Sequence, residues 1–130
     1  MIYENGTQWI GAEQKKALLF AMSGLGKTYI SSILRHRGNW FHYSVDYRIG
    51  TRYLGEHIVD NYKKYAMAVP FLAELLRSNS ISISSNITFE NLAPLSTYLG
   101  KPGDVSKGGI PFDEYCKRQE QHHAAERAAL

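Results

Sequence analysis

The stretch Ala17-Leu18-Leu19-Phe20-Ala21-Met22-Ser23-Gly24-Leu25-Gly26-Lys27-Thr28 constrains this chain more than any other. An apolar run enters a turn with two glycines, and the turn ends in Gly-Lys-Thr. The run Ala17 to Ala21 reads as a short strand. It is apolar on both faces, as a parallel sheet covered by helices requires. After the turn, Thr28 to His36 reads as a helix. Ile30, Ile33 and Leu34 fall at three-four spacing and form its apolar stripe. Arg35, His36 and Arg37 sit near its C-terminus, where positive charge suits the helix dipole, and Gly38-Asn39 ends it.

Strand, glycine turn and helix in that order are the context of a phosphate-binding loop. The pattern asks for Gly, four residues, then Gly-Lys-Ser/Thr. Counting back from Gly26 lands on Ala21, so the first glycine is replaced by alanine. If that position required a positive φ, the alanine would cost about 1 kcal/mol. The chemistry explains the rest. A polyphosphate concentrates negative charge, and a loop that wraps it points successive backbone N–H groups inward. Glycines permit the necessary angles. Lys27 supplies a cation, the Thr28 hydroxyl is a candidate Mg²⁺ ligand, and the helix N-terminus faces the same anion.

Composition narrows the field. With 130 residues the chain can bury one real core. A hydrophobic content of 44% with 21% charged residues marks a globular chain rather than a disordered one. The net charge of +3 suits an anionic ligand. The basic residues are scattered, so no nucleic-acid stripe forms and no nucleic-acid partner is expected. One cysteine, Cys116, rules out an intrachain disulfide and suits a reducing cytoplasm. No apolar run approaches membrane-spanning length, so no membrane partner is expected.

The remaining segments follow from spacing and punctuation. Glu4 to Thr7 reads as a turn and Gln8 to Ile10 as a short strand. Trp40 to Val45 is rich in strand formers and reads as a second strand, giving a βαβ unit with a right-handed crossover. Asp46 would then lie at the carboxyl end of that strand, on the same edge as Lys27 and Thr28. Gly50-Thr51 opens a helix with Thr51 as its cap and Leu54, Ile58, Tyr62 and Tyr65 on its apolar side. Pro70 restarts a shorter helix through Leu76. Ser78 to Thr88 alternates at Ile81, Ile83 and Ile87 and reads as either a loop or an edge strand. A short helix starts near Pro94 and stops at Gly100. Residues 101–109 form a loop, and Pro111 opens a last helix reaching Leu130. No repeat or second domain is legible, so residues 1–130 read as one α/β nucleotide-binding domain. Its sheet is short of strands, and we expect the N-terminal portion of a longer protein. Either the missing C-terminal part or self-association would cover the open edge.

Ala21 to Thr28, with Asp46 ending the next strand, resembles the P-loop nucleoside triphosphate hydrolases and kinases. It is similar in particular to the shikimate, gluconate and nucleotide kinase group. The resemblance covers Ala17 to Arg52. It implies a three-layer fold with a parallel sheet, with ATP and Mg²⁺ as cofactors and an unidentified small-molecule acceptor. It implies that Ser23, Gly24, Leu25, Gly26, Lys27 and Thr28 bind the nucleotide, that Thr28 also holds the metal, and that Lys27 and Asp46 act in catalysis. Arg48 and Arg52 would grip an anionic acceptor. The family's arginine-bearing lid and second metal-binding carboxylate have no counterpart that can be placed.

Plainer readings stand beside these. Asp46 reads equally as a turn or helix-cap residue, and Arg48 and Arg52 as solvated surface charges. Cys116, His122 and His123 match no zinc spacing. Tyr53, Tyr62 and Tyr65 sit at helical spacing and read as core. The expected function is an ATP-dependent phosphotransferase or ATPase. The alternative is a non-catalytic nucleotide-binding or interaction module.

Overall fold

The computed structural model describes residues 2–22 and 24–130. Ser23, expected in the glycine turn, lies outside the described residues. The chain divides into two compact units, one ending at His42 and the other spanning Tyr43–Leu130.

The first unit holds helices α1 (Gly6–Gly11) and α2 (Lys27–Gly38). The strand expected over Gln8 to Ile10 is the middle of α1. Asn5 caps that helix, its side chain accepting from the Gln8 N–H at 3.0 Å, while the Gln8 side chain accepts from the Glu4 N–H at 3.0 Å. Reciprocal capping of this kind closes the first turn and overrides the strand propensity of Trp9 and Ile10. Trp9 then stacks on Trp40 with ring centroids 5.8 Å apart, and Tyr3 meets Trp9 edge-on. Helix α2 ends as the sequence indicates, with Asn39 in the left-handed conformation and its N–H on the Leu34 carbonyl.

The expected α/β architecture is not found. Among the described residues there is no strand and no sheet, only an isolated parallel bridge between Pro102 and Ile110. Residues 17–22 have no regular structure, and Leu18 and Phe20 are 88% and 93% exposed. A strand exists only through its ladder, and no backbone hydrogen bond joins 17–20 to another described segment. The second expected strand, Trp40 to Val45, also fails. Ser44 is a helix cap, its hydroxyl accepting from the Tyr47 N–H at 3.2 Å, and Val45 begins a helix. The β-forming composition was outweighed by one serine placed three residues before a free amide.

The second unit is helical. Helix α3 (Val45–Arg48) runs into a π-helical turn (Ile49–Tyr53), followed by α4 (Gly55–Ala66), α5 (Pro70–Arg77), α6 (Ala93–Leu99) and α7 (Phe112–Ala129). Thr51 does not cap α4 as expected. It lies inside the π-helical turn and donates its hydroxyl to the Tyr47 carbonyl at 2.7 Å. The core joins Ile49, Leu54, Ile58, Leu95, Tyr98, Ala125 and Ala129, with Tyr53, Tyr62 and Ile87 packed against it. Tyr65, read as core from its spacing, is 63% exposed. The end of α7 is capped from outside the helix. Tyr53 donates to the Ala128 carbonyl at 2.8 Å and Tyr43 donates to the Ala129 carbonyl, so two orphan acceptors are satisfied by phenols.

Candidate functional site

The glycine turn keeps a defined local shape without the sheet. Gly24 and Gly26 both have φ of +82°, the left-handed region. Open space surrounds the position of a Cβ at each, so the backbone angle, not crowding, calls for glycine there. Ala21 does not share this conformation, since the non-glycine residues with positive φ are Asn39 and Asn79. The alanine at the first loop position therefore carries no such strain.

Lys27 is the first residue of α2, and its side chain folds back over the loop. The ammonium donates to the Ala21 carbonyl at 2.6 Å and to the Met22 carbonyl at 2.7 Å. An ammonium has three donors, so two acceptors among the described residues leave one for a ligand. Helix α2 has no side-chain cap. The first intrahelical bond is Ile30 N–H to the Gly26 carbonyl at 3.0 Å, and the amides of Lys27, Thr28 and Tyr29 have no backbone acceptor among the described residues. The Tyr29 amide is a donor that the sequence pattern did not single out. The signal for it is general, since every helix begins with such groups. Thr28 is exposed, and its hydroxyl opens from the same turn. The loop is a rim, not a pocket. A cleft of about 540 Å³ in this unit is lined by Lys15, Lys16, Ala17, Trp40 and Phe41 among others, and by no residue of Ala21 to Thr28.

The acceptor side of the expected site is built differently. Asp46 lies in the first turn of α3, exposed, and not at a strand end. The strand that was to carry it beside Lys27 does not exist. Arg48 stacks its guanidinium over the Tyr43 ring at 5.0 Å, and its Nε is buried without a hydrogen-bond partner among the described residues. Arg52 is exposed, 5.9 Å from the centre of the Tyr53 ring. These contacts tie both arginines to phenols that cap α7. Leu25 is 66% exposed and brings only its backbone to the loop. Among the described residues no group of three or more His, Cys, Asp or Glu could hold a metal, so Cys116, His122 and His123 form no such site.

One polar cluster was not legible in the sequence. Arg118 is 5% exposed. It donates to Glu114 Oε1 at 2.8 Å, to the Tyr98 carbonyl, and to Asn61 Oδ1 at 3.1 Å, and it stacks on the Tyr98 ring at 4.7 Å. The Tyr98 hydroxyl donates to Gln121 Oε1 at 2.7 Å. Hydrogen bonding from Arg118 holds the Glu114 carboxyl below the usual glutamate range. Burial pushes the Tyr98 phenol up, partly offset by the Arg118 charge. Every donor group of Arg118 has a fixed protein partner, so this cluster is structural.

No protein-family model matches this sequence, and no curated protein or solved structure matches it either. Together with the absence of any strand among the described residues, this overturns the resemblance to the P-loop hydrolases and kinases as a statement of family and fold. Among the described residues no helix is long and apolar enough to cross a membrane.

Proposed function

We propose that the turn Ala21 to Thr28 binds the phosphates of a nucleoside triphosphate, with ATP as the working ligand and Mg²⁺ as its counterion. The observation that carries this reading is the posture of Lys27. Its ammonium is held over the turn by two carbonyls, beside two left-handed glycines and three helix amides with no backbone acceptor among the described residues. That set supplies one cation and several convergent N–H donors for phosphate oxygens. The Thr28 hydroxyl would be the protein's ligand to Mg²⁺, and the ion would neutralise phosphate charge when bound. A cytoplasmic setting accords with a nucleotide ligand and with the single thiol.

The chain acts on this reading as a binding module. Asp46 on an exposed helical turn favours it, because phosphoryl transfer depends on positioning a nucleophile against the phosphate. Turnover of the bound nucleotide, as an ATPase or phosphotransferase, is the second reading; Asp46, Arg48 and Arg52, the residues expected to act in it, belong to the other unit.

Calorimetry with Mg-ATP tests the binding. Lys27→Ala should weaken affinity about tenfold or more, as loss of a charge-assisted hydrogen bond predicts. Equal affinity in the variant and the parent would refute the reading. Phosphate release separates the two forms of the proposal, since binding without turnover selects the module.

A further inference from the structure

The charge of this chain is unevenly spread. Between Gln14 and His42 there are five lysines and arginines and no acidic residue, against a net charge of +3 for the whole chain. The rest of the chain is therefore net acidic. Within the basic stretch residues 17–22 are exposed without a break, and every one of them is apolar. Leu18, Phe20 and Met22 are 88%, 93% and 80% exposed. Lys15 and Lys16, both exposed, come directly before them. Single exposed apolar residues are ordinary, whereas a continuous apolar patch marks a contact. Two observations say what covers this one. Exposure is not confined to one face, since the neighbours Leu18 and Leu19 are both outside. A groove on a folded partner covers one face of such a segment and leaves the other in water. Fluid lipid closes around it from every side. The second observation is the sign of the flank, which matches the negative potential of a membrane surface. Nucleic acid would meet the lysines, but it offers phosphates and base faces and no apolar phase for Leu18 and Met22.

We propose that residues 15–22 dock the chain on an anionic lipid surface, with the Leu18, Phe20 and Met22 side chains in the boundary between headgroups and acyl chains and Lys15 and Lys16 against the lipid phosphates. The surface is met and not crossed. An apolar run this short cannot span a bilayer, which is why its length alone gives no membrane partner, but lying in the interface asks only for apolar side chains beside cations. The backbone sets the depth. No backbone hydrogen bond joins 17–20 to another described segment, and unpaired peptide groups do not enter hydrocarbon. The main chain therefore stays among headgroups and water while the side chains reach inward. At the end of the run the Lys27 ammonium already occupies the Ala21 and Met22 carbonyls, which lowers the polar load of that end. The contact needs no nucleotide, so it stands apart from the binding proposed for the turn.

Co-flotation of the full chain with vesicles, without nucleotide, tests this. The parent should float with phosphatidylcholine vesicles containing about one-quarter phosphatidylserine and bind pure phosphatidylcholine about tenfold more weakly or less. Lys15→Glu/Lys16→Glu should lower partitioning onto the anionic vesicles about tenfold or more, since each cation near such a surface is worth roughly fivefold. Leu18→Ser/Phe20→Ser keeps every charge and should lower it by a similar factor, with unchanged circular dichroism because both residues are outside the fold. Phe71→Ser, at a 69% exposed apolar residue of the second unit, should leave binding as it was. A parent that ignores anionic vesicles, equal binding to neutral and anionic vesicles, binding that survives either double variant, or binding lost in Phe71→Ser would each overturn the assignment. So would a parent that takes a single-stranded oligonucleotide and not the vesicles, which would give the basic stretch to nucleic acid.

Discussion

Helices α2 and α4 have the same length, twelve residues each, and both carry an apolar stripe, but only one stripe is buried. In α4 Ile58 is fully enclosed, and Leu54 just before the helix is 3% exposed. In α2 no residue is buried, and Ile30 and Ile33 are 46% and 38% exposed. The difference is tertiary. The second unit brings the π-helical turn, α6 and α7 against α4, and the Ile49–Ala129 cluster results. The first unit joins Tyr3, Trp9 and Trp40 through ring contacts and leaves its aliphatic residues outside. Spacing therefore identifies a stripe and says nothing of what covers it. Stability should be concentrated in the second unit, and ligand chemistry in the turn of the first.

The largest test of that contrast is Ile58→Ala. Removing an enclosed isoleucine side chain forfeits its transfer energy and leaves a cavity, at about 3 kcal/mol. Ile33→Ala should change stability by about 0.5 kcal/mol or less, since an exposed site loses little and alanine favours the helix. Urea unfolding followed by circular dichroism reads both. Equal effects would erase the distinction between the units.

Arg118→Ala comes next, at about 2 kcal/mol, because it strips donors from the Tyr98 carbonyl and Asn61 Oδ1 inside the core. It also changes the pH profile. The Glu114 carboxyl is depressed in the folded chain. Its contribution is therefore present above the ordinary glutamate pKa and is lost as pH falls through the depressed folded value. In the variant that acid-range loss should flatten. A parallel pH profile in parent and variant would show that the pair contributes nothing to acid sensitivity.

How much of this was legible beforehand depends on how local the determinant is. The end of α2 at Gly38-Asn39, the start of α5 at Pro70, the stop of α6 at Gly100 and the loop after it are written in single residues, and the structure places them there. The two left-handed glycines of the turn are of the same kind. The sheet was not legible, because a strand depends on a partner that no window of sequence contains. Apolar character at Leu18 and Phe20 marks a segment able to be a strand, and the ladder is missing. The run Trp40 to Val45 is not a strand for a local reason, the Ser44 cap. Arg118 escaped because a basic residue on a helix reads as solvated. Its burial is set by Tyr98 and Asn61, 20 and 57 positions away in the chain.

The smallest expected effect is the most diagnostic for the turn's own segment. In a covered parallel strand, replacing Leu18 and Phe20 by serine would remove two enclosed side chains and cost several kcal/mol, roughly 4 or more. In this structure both side chains are outside, at 88% and 93% exposure, and the backbone of 17–20 bonds to no other described segment. The double variant Leu18→Ser/Phe20→Ser should therefore shift the urea midpoint by no more than about 0.5 kcal/mol equivalent. It should also leave the Lys27 contacts to the Ala21 and Met22 carbonyls in place, because those are backbone acceptors. Mg-ATP affinity would then match the parent. A large loss of stability would mean that the segment is covered in solution, and the contrast between an open first unit and a packed second one would have to be abandoned.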